Sequence, residues 1–306
     1  MDIWSELAAE GIDKVLIDEI RNFRAAHPAP EAAAERIPAP RFMYYGKEVW
    51  ESAAAAILCG EHLLLAGPKA TGKNVLAENL AAAFGRPCWN VSMYINIDAA
   101  SLIGADTLKD GRVEFREGPV CRCARMGGFG VLDEVNMAKN EALAVLHAAL
   151  DFRRVIDVPG YERVSLDPAA RFIGTMNYGY AGTRELNEAL VSRFAVIDMP
   201  VIAQSDLLKL IRRGFPTLHP TWAEQFAGLF EDLRVKCGNA EISTKALDLR
   251  GLLSALHLME KGLSAAQALR LGVINKAFDP FERQLVEDAV WARIPKNASR
   301  AKLFGD

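Results

Sequence analysis

The stretch Gly67-Pro68-Lys69-Ala70-Thr71-Gly72-Lys73-Asn74 constrains this chain more than any other. Before it stands a short apolar run, Leu63 to Ala66. After it, Val75 to Phe84 repeats apolar residues at helical spacing and stops at Gly85. A strand, a glycine-bounded loop and a helix in that order form an anion cradle, because successive backbone N–H groups and a helix N-terminus converge on one point. The spacing is that of G-x-x-x-x-G-K, whose lysine meets nucleotide β and γ phosphates. Gly67, Pro68, Lys69, Ala70, Thr71, Gly72, Lys73, Asn74 and Val75 are therefore the candidate nucleotide-binding set. One residue departs from the pattern. Asn74 stands where a serine or threonine hydroxyl ordinarily reaches Mg²⁺. Its amide oxygen is a neutral ligand on a longer arm, so weaker metal binding and slower turnover are expected.

Gly128-Phe129-Gly130-Val131-Leu132-Asp133-Glu134 is an apolar strand candidate ending in two acids, 60 residues beyond Lys73. An aspartate at such a strand end holds Mg²⁺ through its waters, and the next carboxylate orients or deprotonates an attacking water. A solvated strand end followed by a helix cap also yields an Asp-Glu pair, with Asn136 opening a helix through Leu150; the presence of Lys73 favours the catalytic reading. A further strand, Arg171 to Met176, leads into Asn177, placed to sense the γ-phosphate or a water; the competing reading is a turn asparagine before Gly179 and Gly182. Arg193 ends a helix candidate over Leu186–Phe194. It is either a partner for that helix's C-terminal dipole or a group reaching a neighbouring subunit's phosphate.

Strand candidates at Leu63–Ala66, Cys88–Met93, Phe129–Asp133, Arg171–Met176 and Ala195–Met199 alternate with helical patterns, which indicates a parallel sheet covered by helices on both faces. Upstream, Ile3 to Arg24 reads as one or two amphipathic helices, and Pro28, Pro30, Pro38 and Pro40 break the alanine-rich run that follows. Beyond Pro200 only helical patterns recur: Asp206–Arg213, Thr221–Val235, Thr244–Lys261, Ala265–Leu271 and Pro280–Ala289. The expected division is 1–45, a helical segment and linker; 46–203, the nucleotide-binding domain; and 204–306, a helical lid.

Composition excludes several classes. The 306 residues are 51% hydrophobic and 25% charged, as in soluble globular proteins, and no apolar run reaches membrane-span length. The N-terminus lacks the basic start of a secretory signal, so a cytoplasmic protein is the expectation. Cys121-Arg122-Cys123 has no second pair with zinc-site spacing among the five cysteines, which predicts reduced thiols. A net charge of −3 gives no electrostatic reason to expect nucleic acid.

In order and spacing these elements resemble the AAA+ ATPases, and the finer pattern is similar to the MoxR-type branch. Asp98-Ala99-Ala100-Ser101-Leu102-Ile103-Gly104 is similar to that branch's phrase after the loop. Leu108 to Val120 then reads as its hairpin inserted in the second helix, with Asp110-Gly111 as the tight turn. Val155-Ile156-Asp157-Val158-Pro159-Gly160 to Asp167-Pro168 is similar to its second insert, and Ser192-Arg193-Phe194 to its arginine-finger phrase. Ile242-Ser243-Thr244-Lys245-Ala246-Leu247 matches the lid sensor phrase with Lys245 in place of arginine. Arg250 competes for that role, and a solvated helix face explains either residue equally.

The resemblance implies an αβα P-loop NTPase sandwich with a helical lid. It implies ATP and Mg²⁺ as cofactors: Asp133 and Asn74 toward the metal, Lys245 toward the nucleotide, and Glu134, Asn177 and Arg193 in catalysis. A finger acting across a subunit boundary implies a homo-oligomer, in this family a hexameric ring, that remodels or matures a protein client, often one with a von Willebrand factor A domain. Two other readings stand beside it: a nucleotide-gated binding module with negligible hydrolysis, supported by Asn74, and a nucleic-acid or restriction motor subunit, opposed by the acidic balance.

Overall fold

A computed structural model of the chain describes residues 2–178 and 184–305, so Gly179 and Gly182 lie outside the described residues. Two compact units are present: residues 2–68 with 72–200, and residues 69–71 with 201–305.

Among its described residues the first unit has nine strands: β1 Leu63–Ala66, β2 Cys88–Ser92, β3 Gly104–Lys109, β4 Arg112–Glu117, β5 Phe129–Asp133, β6 Val155–Ile156, β7 Val164–Ser165, β8 Arg171–Met176 and β9 Ala195–Asp198. Five of them form one sheet in the order β2-β5-β8-β1-β9, each neighbouring pair parallel. The near-continuous burial of β1, β5 and β8 follows from helices on both faces, the arrangement anticipated from the alternation of elements. The core has two parts. One is centred on β1, the helix Lys73–Ala83 and the helix Lys47–Leu58, and it includes Ile3, Leu7, Ile17, Ile20, Met43 and Tyr44 from the N-terminal region. The helices Ile3–Ala9 and Lys14–Ala26, each capped by an aspartate side chain, thus pack as part of this unit. The other part gathers Leu102, Val120, Leu132, Leu143 and Phe172.

Both inserts are antiparallel hairpins. β3 pairs with β4 across Asp110 and Gly111, whose φ values of 51° and 77° give the double left-handed turn that suits a two-residue hairpin loop. Its strands run back to Gly104, four residues earlier than the pattern indicated. β6 pairs with β7. A Tyr161 hydroxyl donating to Asp106 at 2.6 Å and a Phe115–Tyr161 ring contact at 4.9 Å tie the two inserts together.

Three helix expectations change. The helix expected over Leu186–Phe194 is only the single turn Glu188–Val191, with Arg193 two residues beyond it. The continuous helix from Asn136 to Leu150 is broken into the 3₁₀ turn Val135–Met137 and the short pieces Asn140–Leu143, Ala144–Leu146 and His147–Leu150. Asn136 is buried; its Nδ2 donates to Asn177 O, and its Oδ1 accepts no hydrogen bond among the described residues, so it caps nothing. The second unit is all helical, with principal helices Gln204–Gly214, Pro220–Gly238, Leu249–Glu260, Ala265–Gly272 and Pro280–Arg293. The third of these starts at Leu249 rather than Thr244, because Ser243 is held by the Glu282 carboxylate through both its N–H and its hydroxyl, and the chain turns through Thr244–Ala246.

At the strands' starting edge, His62 precedes β1, and its Nδ1 accepts the Phe172 N–H of β8 at 2.9 Å. Burial, reinforced by Arg154 and Arg171, pushes this imidazole down to about 3. The unfolded chain, near the ordinary 6.5, therefore takes up a proton that the folded chain refuses. His62 leaves stability intact above that ordinary value, and stability should fall by about 1.4 kcal/mol per pH unit as pH drops from there toward 3. Denaturant unfolding at pH 7, 6 and 5 checks this, and His62→Gln should flatten the slope.

Candidate functional site

The loop after β1 turns through two left-handed residues, Ala70 at φ 63° and Gly72 at φ 81°. Gly72 is required twice over. Its backbone favours glycine, and a Cβ there would come within 3.0 Å of the Tyr44 ring. Tyr44 is positioned in turn by Asn79 on the helix Lys73–Ala83, whose side chain accepts the Tyr44 N–H at 2.8 Å and donates to Phe42 O at 2.9 Å. The loop is thus braced by a segment that lies outside the P-loop motif.

Lys73 Nζ donates to the loop's own carbonyls, Gly67 O at 2.9 Å and Pro68 O at 2.7 Å. Burial pushes its ammonium down to about 8, against the opposing fields of Asp133 and Glu134. A phosphate against the loop favours the charged form and pulls this value back up. Val75, expected among the nucleotide contacts, is half-buried and packs against the core.

The parallel pairing of β5 with β8 assembles the second half of the site. Leu132 lies opposite Gly174, so Asp133 and Thr175 follow side by side. The Thr175 hydroxyl donates to Asp133 Oδ1 at 2.7 Å and accepts the Glu134 N–H at 3.0 Å. Glu134 sits in left-handed backbone, φ 56° and ψ 49°, a conformation costly for a residue with a Cβ and concentrated at functional sites. Its carboxylate accepts from Asn177 Nδ2 at 3.1 Å, and Asn136 Nδ2 donates to Asn177 O at 2.8 Å. Asp133, Glu134 and Asn177 therefore belong to one hydrogen-bonded string, with Thr175 and Asn136 as its braces.

Thr175 escaped the sequence reading. The available signal was period two: Thr175 and Asn177 lie on one side of an extended run at the strand's end. Tyr178 was also missed; its hydroxyl donates to Asp198 at the end of β9 at 2.7 Å.

Asn74 and Asp133 line one cavity of about 580 Å³ together with Asn90 and Ser92. These are hard oxygen donors, and Mg²⁺ binds through one or two carboxylates while keeping several waters, so the residues present fit that ion. Arg193 lies at the end of the short helix Glu188–Val191. Its guanidinium donates to His147 O at 3.2 Å and to Ala189 O, and pairs with Asp151 at 3.5 Å. Asp151 also receives Arg153, whose hydrogen bonds do most to hold its carboxyl down to about 2. Lys245 belongs to the second unit, exposed, with its ammonium 5.9 Å from the Phe278 ring centre; Arg250 is exposed there as well.

Residues 62–194 match the AAA domain (dynein-related subfamily), a span that holds the loop, the acid pair, Asn177 and Arg193. The protein YojN of Bacillus subtilis (strain 168) is 33% identical over 242 residues, covering 77% of this chain and 79% of that one. The protein SH1500 of Staphylococcus haemolyticus (strain JCSC1435) is 33% identical over 250 residues, 80% of this chain and 95% of that one. This chain belongs to the AAA-domain family. A solved Cytophaga hutchinsonii ATCC 33406 structure aligns over 95% of this AAA chain and 98% of its own, but at 16% identity and a TM-score of 0.48 it bears on neither detail nor function. As an AAA domain the first unit is a nucleotide-binding P-loop fold. Among the described residues no helix is long and apolar enough to cross a membrane. The five cysteines are free, and burial pushes the Cys88 thiol up to about 12 and Cys121 up to about 11.

Lys73→Ala should abolish nucleotide binding while the fold persists, because it removes the charge that meets the β and γ phosphates. Titration with a fluorescent ADP analogue, alongside circular dichroism, checks this; unchanged affinity would remove the loop assignment.

Proposed function

We propose that this AAA protein is a Mg²⁺-dependent ATP hydrolase of MoxR type, assembled as a ring and acting on a protein client. The observation that carries the hydrolase reading is the string Asp133–Thr175–Glu134–Asn177. A carboxylate for the metal's waters and a second carboxylate for the attacking water are held at fixed spacing by one buried hydroxyl, and an amide links the second to the strand end. When bound, Mg²⁺ would neutralise charge developing between the β and γ phosphates. The chain supplies the rest. Lys73 exchanges its carbonyl partners for phosphate oxygens, Glu134 orients water and accepts its proton, and Asn177 sets the direction of that carboxylate.

Sheet geometry supports a subunit-bridging role for Arg193. β1 and β9 are parallel with Leu63 opposite Ala195, so Arg193 precedes the starting edge of β9 while the phosphate loop follows the far end of β1. The four-residue strands between these edges span roughly 10 Å. Arg193 therefore starts from the sheet edge opposite its own loop and serves a neighbour's more economically, in a closed ring. MoxR-type placement, the hexamer and a von Willebrand factor A client rest on the two hairpin inserts and the Ser192-Arg193-Phe194 phrase, and Lys245 is proposed as the lid's phosphate sensor. The second reading, a nucleotide-gated binding module, is favoured by Asn74 alone. Phosphate release at saturating Mg-ATP separates the two, since the module predicts none above background.

Glu134→Gln should retain ATP binding and lose hydrolysis. Thr175→Val should retain binding with hydrolysis down roughly 10- to 100-fold, as for other groups that orient a metal-site ligand, while Thr175→Ser recovers most of it. Phosphate-release rates paired with nucleotide titration check both variants; wild-type turnover in Glu134→Gln would overturn its role.

Arg193→Ala should bind ATP nearly normally and hydrolyse it on the order of 10³-fold more slowly. Mixed with Lys73→Ala subunits it should regain part of the activity, because some interfaces then join an intact loop to an intact finger. Verified co-assembly with no recovery would leave Arg193 as a helix-end charge paired to Asp151.

A further inference from the structure

A second cavity of the first unit, about 520 Å³, lies beneath the β3–β4 hairpin and is lined by Arg36, Trp89, Arg116, Glu117 and Arg122 among others. Its three arginines come from three separate elements: the 3₁₀ turn Glu31–Arg36, β4, and the helix Pro119–Arg125. Elsewhere in the chain arginines are commonly tied down, as Arg21 is to Asp18, Arg153 to Asp151, Arg293 to Asp232, and Arg86 and Arg171 to carbonyls. Among the described residues, none of the three on this cavity has a carboxylate or carbonyl partner for its side chain. Arg36 instead lies over the Trp89 ring at 5.2 Å. Glu117, the acid of the lining, is already paired with Arg125. The Trp89 indole N–H is buried without a hydrogen-bond partner among the described residues.

Three guanidinium groups gathered on one concavity repel one another, and an anion held between them relieves that repulsion. The volume is that of a small-molecule site. A phosphoryl group offers three strong acceptor oxygens and a charge of about −1.5 to −2, against one charge and two oxygens for a carboxylate, and so engages several guanidinium forks at once. We propose that this cavity, which shares Arg36 and Asn90 with the Asn74–Asp133 cavity but adds Arg116 and Arg122, is a second anion site that binds a small molecule carrying linked phosphate groups. It does not depend on whether the first site hydrolyses ATP.

The test uses inorganic tripolyphosphate as the probe and isothermal titration of the full chain in the Lys73→Ala background, which disables the loop. Saturable binding is expected, weakened by roughly tenfold or more when Arg116→Ala and Arg122→Ala are added, since each loses a charge-assisted hydrogen bond. Both side chains are exposed, so folding is not at stake. Arg112→Ala with Arg234→Ala, two exposed arginines off this cavity, should leave affinity unchanged. Absence of saturable binding, equal weakening by the control pair, or citrate binding as tightly as tripolyphosphate would each overturn the assignment.

Discussion

Because β5 and β8 run parallel and in register, they end together, and the Thr175 hydroxyl lands between the Asp133 carboxylate and the Glu134 N–H. Asn177 and Asn136 are placed relative to that bridge. A hydroxyl can donate to one neighbour while accepting from another, so Thr175 satisfies both strand ends in the buried interior, where an unpaired polar group costs about 1–3 kcal/mol. It also stabilises Glu134 in a backbone conformation that its own Cβ disfavours. Asn177, two residues on, then meets the carboxylate so presented.

The cations of the site are held by their own chain. Lys73 rests on the carbonyls of Gly67 and Pro68, and Arg193 on Asp151 and two backbone carbonyls. A phosphate therefore enters by exchange. It replaces neutral carbonyl oxygens around Lys73 with charged ones, which favours the ammonium that burial has pushed down. In the proposed subunit-bridging role the exchange at Arg193 would be against a carboxylate, a stronger competitor, so engagement by a neighbour would have to outweigh the Asp151 pair. That pair is only part-buried, which keeps the competition modest. The arginines beneath the β3–β4 hairpin differ in kind, being gathered, among the described residues, without a carboxylate paired to them.

Much of this architecture was legible before the structure. The five sheet strands were each visible as short apolar runs, and the β3–β4 turn was visible in Asp110-Gly111, because only residues tolerant of left-handed backbone make that turn. Errors fell where local pattern and tertiary demand compete. Asn136 reads as a helix cap by type, yet it is buried and spends its amide on Asn177 O. Ser243 and Thr244 read as the start of a helix, yet Glu282, 39 residues away in sequence, claims Ser243 and delays the helix to Leu249.

The sequence by itself determined the strand–loop–helix unit, the acid pair and the order of elements, because each is written in contiguous residues whose spacing mirrors local backbone geometry. It could not show that Thr175 bridges Asp133 and Glu134, that Tyr44 crowds Gly72, or that Arg36, Arg116 and Arg122 share a cavity. Apart from Arg116 and Arg122, six positions apart, those pairings join residues 28 to 86 positions apart, and only sheet register and helix packing bring them together. Identity along a chain records what each residue is able to do, and the tertiary fold decides which neighbour it does it with.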